Sequence, residues 1–263
     1  MKDTAALLAA YDDQLRSDAE TPSAIAVTLL GPLRLVTFAR GRGFVTYRDL
    51  GGADAAEVRR LVAEARRHFQ ADPAITHLEW KSRWHDLAPG LHQALVEHGF
   101  EPDPPESIMI GEARLLVDDV PLPEGVTMRT IREPHEVARM CAMQAEVFGD
   151  FDPAPMGLSL LERLARDDGM SLWIAECDGE VVTAGRLEPV AGTSFAGIWG
   201  GATRPAWRGR GIYRALTAAR AREALTLGKT LIHSDSTDFS RPILEASGLV
   251  KVSTTTPYHW ERR

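Results

Sequence analysis

From residue 125 onward the spacing of apolar positions changes several times, and each change marks an element. Alternation over 126–131 predicts a short strand, and Pro134 opens a helix whose Val137, Met140, Cys141, Val147 and Phe148 recur at helical spacing. A second helix is predicted over 158–164. Apolar runs at 172–177 and 181–187 flank Asp178-Gly179, a two-residue turn signal for a hairpin, and 195–202 reads as a glycine-rich strand. An Ala/Leu/Arg-rich helix over 211–227 stops at Gly228, followed by a strand at 231–234 and a short helix with Pro242 in its first turn that ends at Gly248. Strands at 250–253 and 256–261 are predicted to close the chain.

Residues 1–117 carry a fainter version of the later part of this order. Strand-like runs at 24–30, 33–39 and 44–47 precede a helix with Val58, Leu61, Val62, Ala65 and Phe69 on one face. A strand at 75–80, a helix at 91–98 and a strand at 108–115 follow. The stretches 99–109 and 248–258 both begin with glycine and a large apolar residue and have the same length, which favours a diverged tandem duplication. The predicted organisation is a first domain at 1–117, a proline-bearing linker at 118–124, and a second domain at 125–263.

Composition narrows the class. With 44% hydrophobic and 25% charged residues, the 263-residue chain reads as a soluble globular protein with room for two modest cores. A formal charge of −7 argues against nucleic acid as the partner, although arginines cluster around 204–222 and would suit a small polyanion. The only cysteines, Cys141 and Cys177, fall within apolar patterns and are expected to be reduced core residues. No residue group suggests a metal, a Ser-His-Asp series or a membrane span, and a cytoplasmic location is expected. Oligomeric state is left open.

The chemistry concentrates in Trp207-Arg208-Gly209-Arg210-Gly211-Ile212-Tyr213, between a strand and a helix. Glycines at 209 and 211 let successive N–H groups converge, and the helix that follows adds its own free N–H groups and positive dipole end. Arg204, Arg208, Arg210 and Arg214 stand around that point, so a pyrophosphate site is expected.

These residues, in this context, resemble the acetyl-CoA loop of the GCN5-related N-acetyltransferase (GNAT) family, [QR]xxGx[GA]. Arg208 to Ile212 match, and Tyr213 stands where Gly or Ala is usual. The order of elements over 125–263 is also that of the family. The resemblance implies an α/β (α+β) fold of two tandem GNAT-like domains, each a mixed, mostly antiparallel sheet flanked by helices. It further implies acetyl-CoA as cosubstrate, direct transfer of the acetyl group to a primary amine, and no metal. A small-molecule amine is the expected acceptor, with no nucleic acid or membrane partner.

By that resemblance Gly200, Gly201, Ala202 and Thr203 supply backbone bonds to the pantetheine and the acetyl carbonyl. Residues 208–213 take the phosphates. Where the first domain would need its own loop, it has Asp49-Leu50-Gly51-Gly52-Ala53-Asp54, whose carboxylates would repel phosphate, so a degenerate first domain is expected. The general base is not singled out: Glu188, His233, Asp235 and Asp238 are candidates, with His233 and Asp235 on one side of their strand. Leu244 occupies the position of the tyrosine that protonates the thiolate in many relatives, leaving Tyr213 and Tyr258 as substitutes. Glu146, Asp150 and Asp152 could draw a cationic amine to the mouth of the site. Two other readings fit the same features: a non-catalytic acyl-CoA-binding regulator, and a tandem acetyltransferase of the mycothiol-synthase type.

Overall fold

A computed structural model describes residues 3–149 and 151–262. Its elements run in the order α1 (Thr4–Gln14), a 3-10 turn (Asp18–Glu20), β1 (Ala26–Leu30), β2 (Leu33–Phe38), β3 (Arg42–Tyr47), α2 (Ala55–Gln70), β4 (His77–Arg83) and α3 (Leu91–Glu97). Then come β5 (Glu101–Pro102), β6 (Glu106–Glu112), α4 (Ala113–Leu116), β7 (Val126–Ile131), α5 (Pro134–Phe148), α6 (Pro153–Leu164), β8 (Ser171–Cys177), β9 (Glu180–Pro189) and β10 (Phe195–Thr203). A 3-10 turn (Pro205–Trp207), α7 (Ile212–Thr226), β11 (Leu231–Ser236), α8 (Arg241–Ser247) and β12 (Val250–Glu261) complete the chain. Among the described residues, no helix is long and apolar enough to cross a membrane.

The chain divides into two compact units that are not contiguous in sequence. The first comprises Met1–Ile108, Ser236–Asp238 and Lys251–Arg263; the second comprises Met109–Asp235 and Phe239–Val250. Contiguous domains at 1–117 and 125–263 therefore do not describe the packing. The physical reason is the backbone ladder of β12, which pairs antiparallel with β4 from Thr255 opposite Arg83 to Glu261 opposite His77. The expected linker also differs from a free spacer. It counts within the second unit, where the Asp118 carbonyl accepts from Arg222 Nη2 at 2.5 Å and Leu122 packs beside Val126 and Ile212. Two separate closing strands were expected; β12 is one strand, and 113–116 turns into helix instead of extending β6.

In the first unit the sheet order is β1-β2-β3-β4-β12, with β5 also against β12. β1 to β3 form antiparallel pairs and β3 to β4 a parallel one, which α2 links. The stripe Val58, Leu61, Val62, Ala65 and Phe69 buries against Leu33, Leu35, Val45, Leu78 and Trp80, and Tyr258 and Trp260 from β12 share that core.

The parallel β3–β4 register runs from Arg42 opposite His77 to Val45 opposite Trp80, and beyond it side chains of the N-terminal arm and Arg83 of β4 supply partners. Arg16 Nη2 donates to the Tyr47 carbonyl at 2.8 Å, Arg83 Nη1 donates to Thr46 Oγ1 at 3.0 Å, and Glu20 bridges Arg83 and Thr46. Arg16 also holds Asp86 in a two-pronged pair at 2.7 and 2.9 Å.

In the second unit the order is β7-β8-β9-β10-β11-β6. β7 to β10 are antiparallel neighbours and β10 to β11 are parallel. Asp178 and Gly179 both take left-handed backbone (φ 49° and 77°), as a two-residue hairpin turn between right-twisted strands requires. α5 and α6 bury Val137, Met140, Cys141, Leu160 and Leu164 against β8 and β9, and α7 lays Ala221 and Ala224 against Ile198 and Ile232.

Candidate active site

The central feature is a bulge in β10. Trp199 pairs with Arg186 and Ala202 with Ala184, so Gly200 and Gly201 both stand opposite Gly185. Gly200 is left-handed at φ 60°, and its carbonyl accepts from Gln144 Nε2 at 2.6 Å. Gln144 is buried on α5, in line with Val137, Met140 and Cys141, where a polar side chain costs free energy unless bonded. A polar residue on an apolar helical stripe was the sequence signal for this contact, and sequence reasoning passed over it.

β10 and β11 pair in parallel from Phe195 opposite Leu231 to Gly197 opposite His233. Past that register the Ser234 hydroxyl reaches the Ile198 carbonyl at 2.9 Å. β10 continues through Thr203, whose hydroxyl meets that of Thr183 at 3.1 Å and whose carbonyl accepts from Arg208 Nε at 3.1 Å. The 3-10 turn then delivers Gly209 and Gly211, at φ 74° and 81°. Gly211 is the N-cap of α7 and no side chain caps it, so the first N–H groups of the helix face outward from its positive end.

Residues 208–213 divide into two kinds. Arg208 and Arg210 are exposed, Arg210 lying over the Trp207 ring at 4.8 Å, while Ile212 is buried among Val126, Ala175 and Val182. Tyr213 turns inward and lays its ring where a Cβ on Gly201 would stand, with contacts of 2.7 Å to the virtual atom. The glycine and the tyrosine thus make room for one another. Two of the four expected phosphate arginines are engaged elsewhere. Arg204 pairs with Glu146 and Glu180 and donates to the Val181 carbonyl, and Arg214 stands 3.6 Å from Asp118.

The loop fits a pyrophosphate on its own geometry: left-handed glycines, an uncapped helix N-terminus and two exposed guanidinium groups converge there. In the first unit the corresponding carboxylates have local roles. Asp49 accepts from Gly51 N at 2.8 Å, and Asp54 caps α2 by accepting from Glu57 N at 2.9 Å.

The candidate bases separate by environment. Glu188 has both oxygens engaged, with Arg186 at 2.5 Å and Arg163 at 3.3 Å. His233 is buried between the ring edges of Phe195 and Trp199 at 5.7 and 5.2 Å. Asp235 follows two residues later on β11, half-buried, while Asp238 counts with the first unit. Tyr258 also counts with the first unit, where its hydroxyl meets His92 Nδ1 at 2.9 Å; burial pushes that phenol up. Leu244 is buried with Ile198 and Ile232, an aliphatic contact with no proton to give.

Of the acidic residues expected at the mouth, Glu146 is bound to Arg204 and Asp152 caps α6 through Ala154 N at 3.0 Å. Asp150 lies outside the described residues. Both cysteines are free thiols, Cys141 in the core and Cys177 half-buried.

Residues 137–241 match the acetyltransferase (GNAT) family model. No curated protein matches the chain. Among solved structures, a GCN5-related N-acetyltransferase from Kribbella flavida aligns over 98% of this chain and 96% of its own, at 20% identity and TM-score 0.67. One from Sphaerobacter thermophilus covers 98% and 91% at 17% identity and TM-score 0.65. A tandem GNAT protein from the clavulanic acid biosynthesis pathway covers 98% and 96% at 15% identity and TM-score 0.60. At such identities the likeness to these structures is one of fold. Residues 137–241 are thus similar to the GNAT acetyltransferase family, whose chemistry is acetyl transfer.

Proposed function

We propose that the second unit binds acetyl-CoA on the loop 208–213 and passes its acetyl group directly to the primary amine of a small molecule. The uncapped, glycine-started N-terminus of α7, lying directly beyond a glycine bulge in β10, carries this reading. Acetyl-CoA, when bound, supplies the activated acetyl group. Arg208, Arg210 and the first N–H groups of α7 would hold its phosphates. The backbone of 200–203 would hold its arm and orient the acetyl carbonyl, with Gln144 fixing the bulge. Asp235 is the best placed of the candidate bases, because it lies two residues past the end of the β10–β11 register and Glu188 is occupied by arginines. The first unit would be a degenerate GNAT-like domain without a phosphate site, and the protein would work in the cytoplasm.

Calorimetry of the intact chain with CoA, followed by thiol release from acetyl-CoA with a panel of small amines, tests the reading. Binding near one equivalent together with amine-dependent thiol release supports it, and no CoA binding rejects it. A non-catalytic acyl-CoA sensor is the second reading, favoured by Leu244 at the usual acid's position. Such a sensor would bind acetyl-CoA and release no thiol with any amine.

A further inference from the structure

Tyr213 and Arg220 stand seven residues apart on α7, hence on one face, and each reaches a glycine at the β10 bulge. The Tyr213 ring and hydroxyl lie 2.7 Å from the virtual Cβ of Gly201, and Arg220 Nη1 lies 2.7 Å from that of Gly185. Gly185 is the residue opposite Gly200 and Gly201 across the β9–β10 ladder. Two side chains of one helix therefore converge on one spot in the sheet, and both need a glycine to be there.

Arg220 is 1% exposed, and no carboxylate pairs with it among the described residues. Its guanidinium donates to the Arg186 carbonyl at 3.3 Å and faces the Tyr213 side chain, while burial works against its charge. Leaving a buried cation without a counter-ion is costly, and a stability role alone would be met by an apolar residue. A tyrosine whose proton leaves would provide that counter-charge for part of a reaction cycle.

We propose that Tyr213 is the proton donor to the departing CoA sulfur and that Arg220 is the positioning residue that steadies the resulting phenolate. The inference rests on the acetyl-transfer reading, which sets the thioester against Gly200 and Gly201. As the amine nitrogen bonds to the acetyl carbon and the carbon–sulfur bond breaks with its electron pair on sulfur, Tyr213 gives its hydroxyl proton to that sulfur. The surplus proton of the amine goes to the base, and the phenolate recovers a proton from water. The products are the amide and the free thiol, and no oxidant or reductant is needed. Tyr213 takes over in this way the work that Leu244 cannot do.

The test compares CoA with desulfo-CoA, which lacks the sulfur, by calorimetry on the full-length wild type and on Tyr213→Phe, Tyr213→Ala and Arg220→Lys. Tyr213→Phe keeps the ring on Gly201 and removes only the hydroxyl. It should weaken CoA about threefold to tenfold, the worth of one hydrogen bond, and leave desulfo-CoA unchanged. Amine-dependent thiol release should fall on the order of a hundredfold in the same variant, and the gap to wild type should narrow in alkali, where a phenol has no proton to give and the thiolate can leave without one. Arg220→Lys should show a smaller loss in the same direction. Equal effects of Tyr213→Phe on both ligands, or none, overturn the proposal, as does tighter CoA binding by Tyr213→Ala, which would mark the ring as an obstruction. Failure of the wild type to bind either ligand overturns the acetyl-CoA reading itself, and the proton-donor role with it.

Discussion

Gly211 illustrates how one residue can be fixed by conformation more than by space. A Cβ added there would meet only Val120 Cγ1 at 3.4 Å, an ordinary contact, yet φ is 81°. Alanine at this position should cost about 1–2 kcal/mol through left-handed strain and turn the first N–H groups of α7 away from their common point. The arginines around it are separable by their partners. Arg208→Ala should lower CoA affinity roughly tenfold through loss of a charge-assisted contact and reduce the salt dependence of binding. Arg204→Ala should lower the melting temperature and leave CoA affinity within about twofold, since Glu146, Glu180 and the Val181 carbonyl already use that side chain. Calorimetry on the pair decides it, and equal losses of affinity would return Arg204 to the phosphate site.

At the scale of elements, α1 and the turn after it act on the first unit as a polar plug beside β3 and β4. Glu20, with its side chain 12% exposed, lies between Arg83 and Thr46. Burial alone would raise its carboxyl, but the Arg83 and Lys81 charges and the Thr46 bond outweigh burial and hold it below the usual range. Asp12 is treated the same way: burial acts to raise it, while the His85 and Arg16 contacts bring it down. A depressed carboxylate lends stability that is complete above its unfolded value, about 4, and disappears as pH falls through the lower folded value. The first unit should therefore lose stability steeply in acid, and Glu20→Gln should reduce that slope while lowering stability at neutral pH. Chemical denaturation at a series of pH values measures both; an unchanged slope in the variant would deny Glu20 the role.

None of this plug was visible in the sequence. α1 combines Ala and Leu with no single apolar stripe, and Arg16, Glu20 and Arg83 look like solvent charges until the fold gathers them. The elements that could be read early were those with strong local rules: the Asp178-Gly179 turn, the stripe of α2, and the glycine-started α7. The bulge at Gly200–Gly201, the seat of Tyr213 and the occupation of Glu188 depend on register and on residues distant in sequence, where local patterns carry no information.

For the whole molecule, the decisive fact is that chain order and compact units disagree. Residues 251–263 count with 1–108, and 109–112 count with the unit that carries residues 208–213. A fragment such as 120–263 would keep β12 without β4, its antiparallel partner, exposing Tyr258 and Trp260, and would lose β6 from beside β11. It should fold poorly for reasons unrelated to cofactor binding. A chain ended at Val250 is the better cut, because it removes from the second unit nothing that counts with it. In a calorimetric scan that chain should melt in two steps, the earlier one belonging to a first unit deprived of the strand that carries part of its core. CoA should raise the later step alone, by mass action on the folded second unit, and titrate at one equivalent per chain. Two equivalents in the intact protein would mean that the first unit binds CoA despite Asp49 and Asp54. A CoA-induced rise in the earlier step would mean that the phosphate loop had been assigned to the wrong unit.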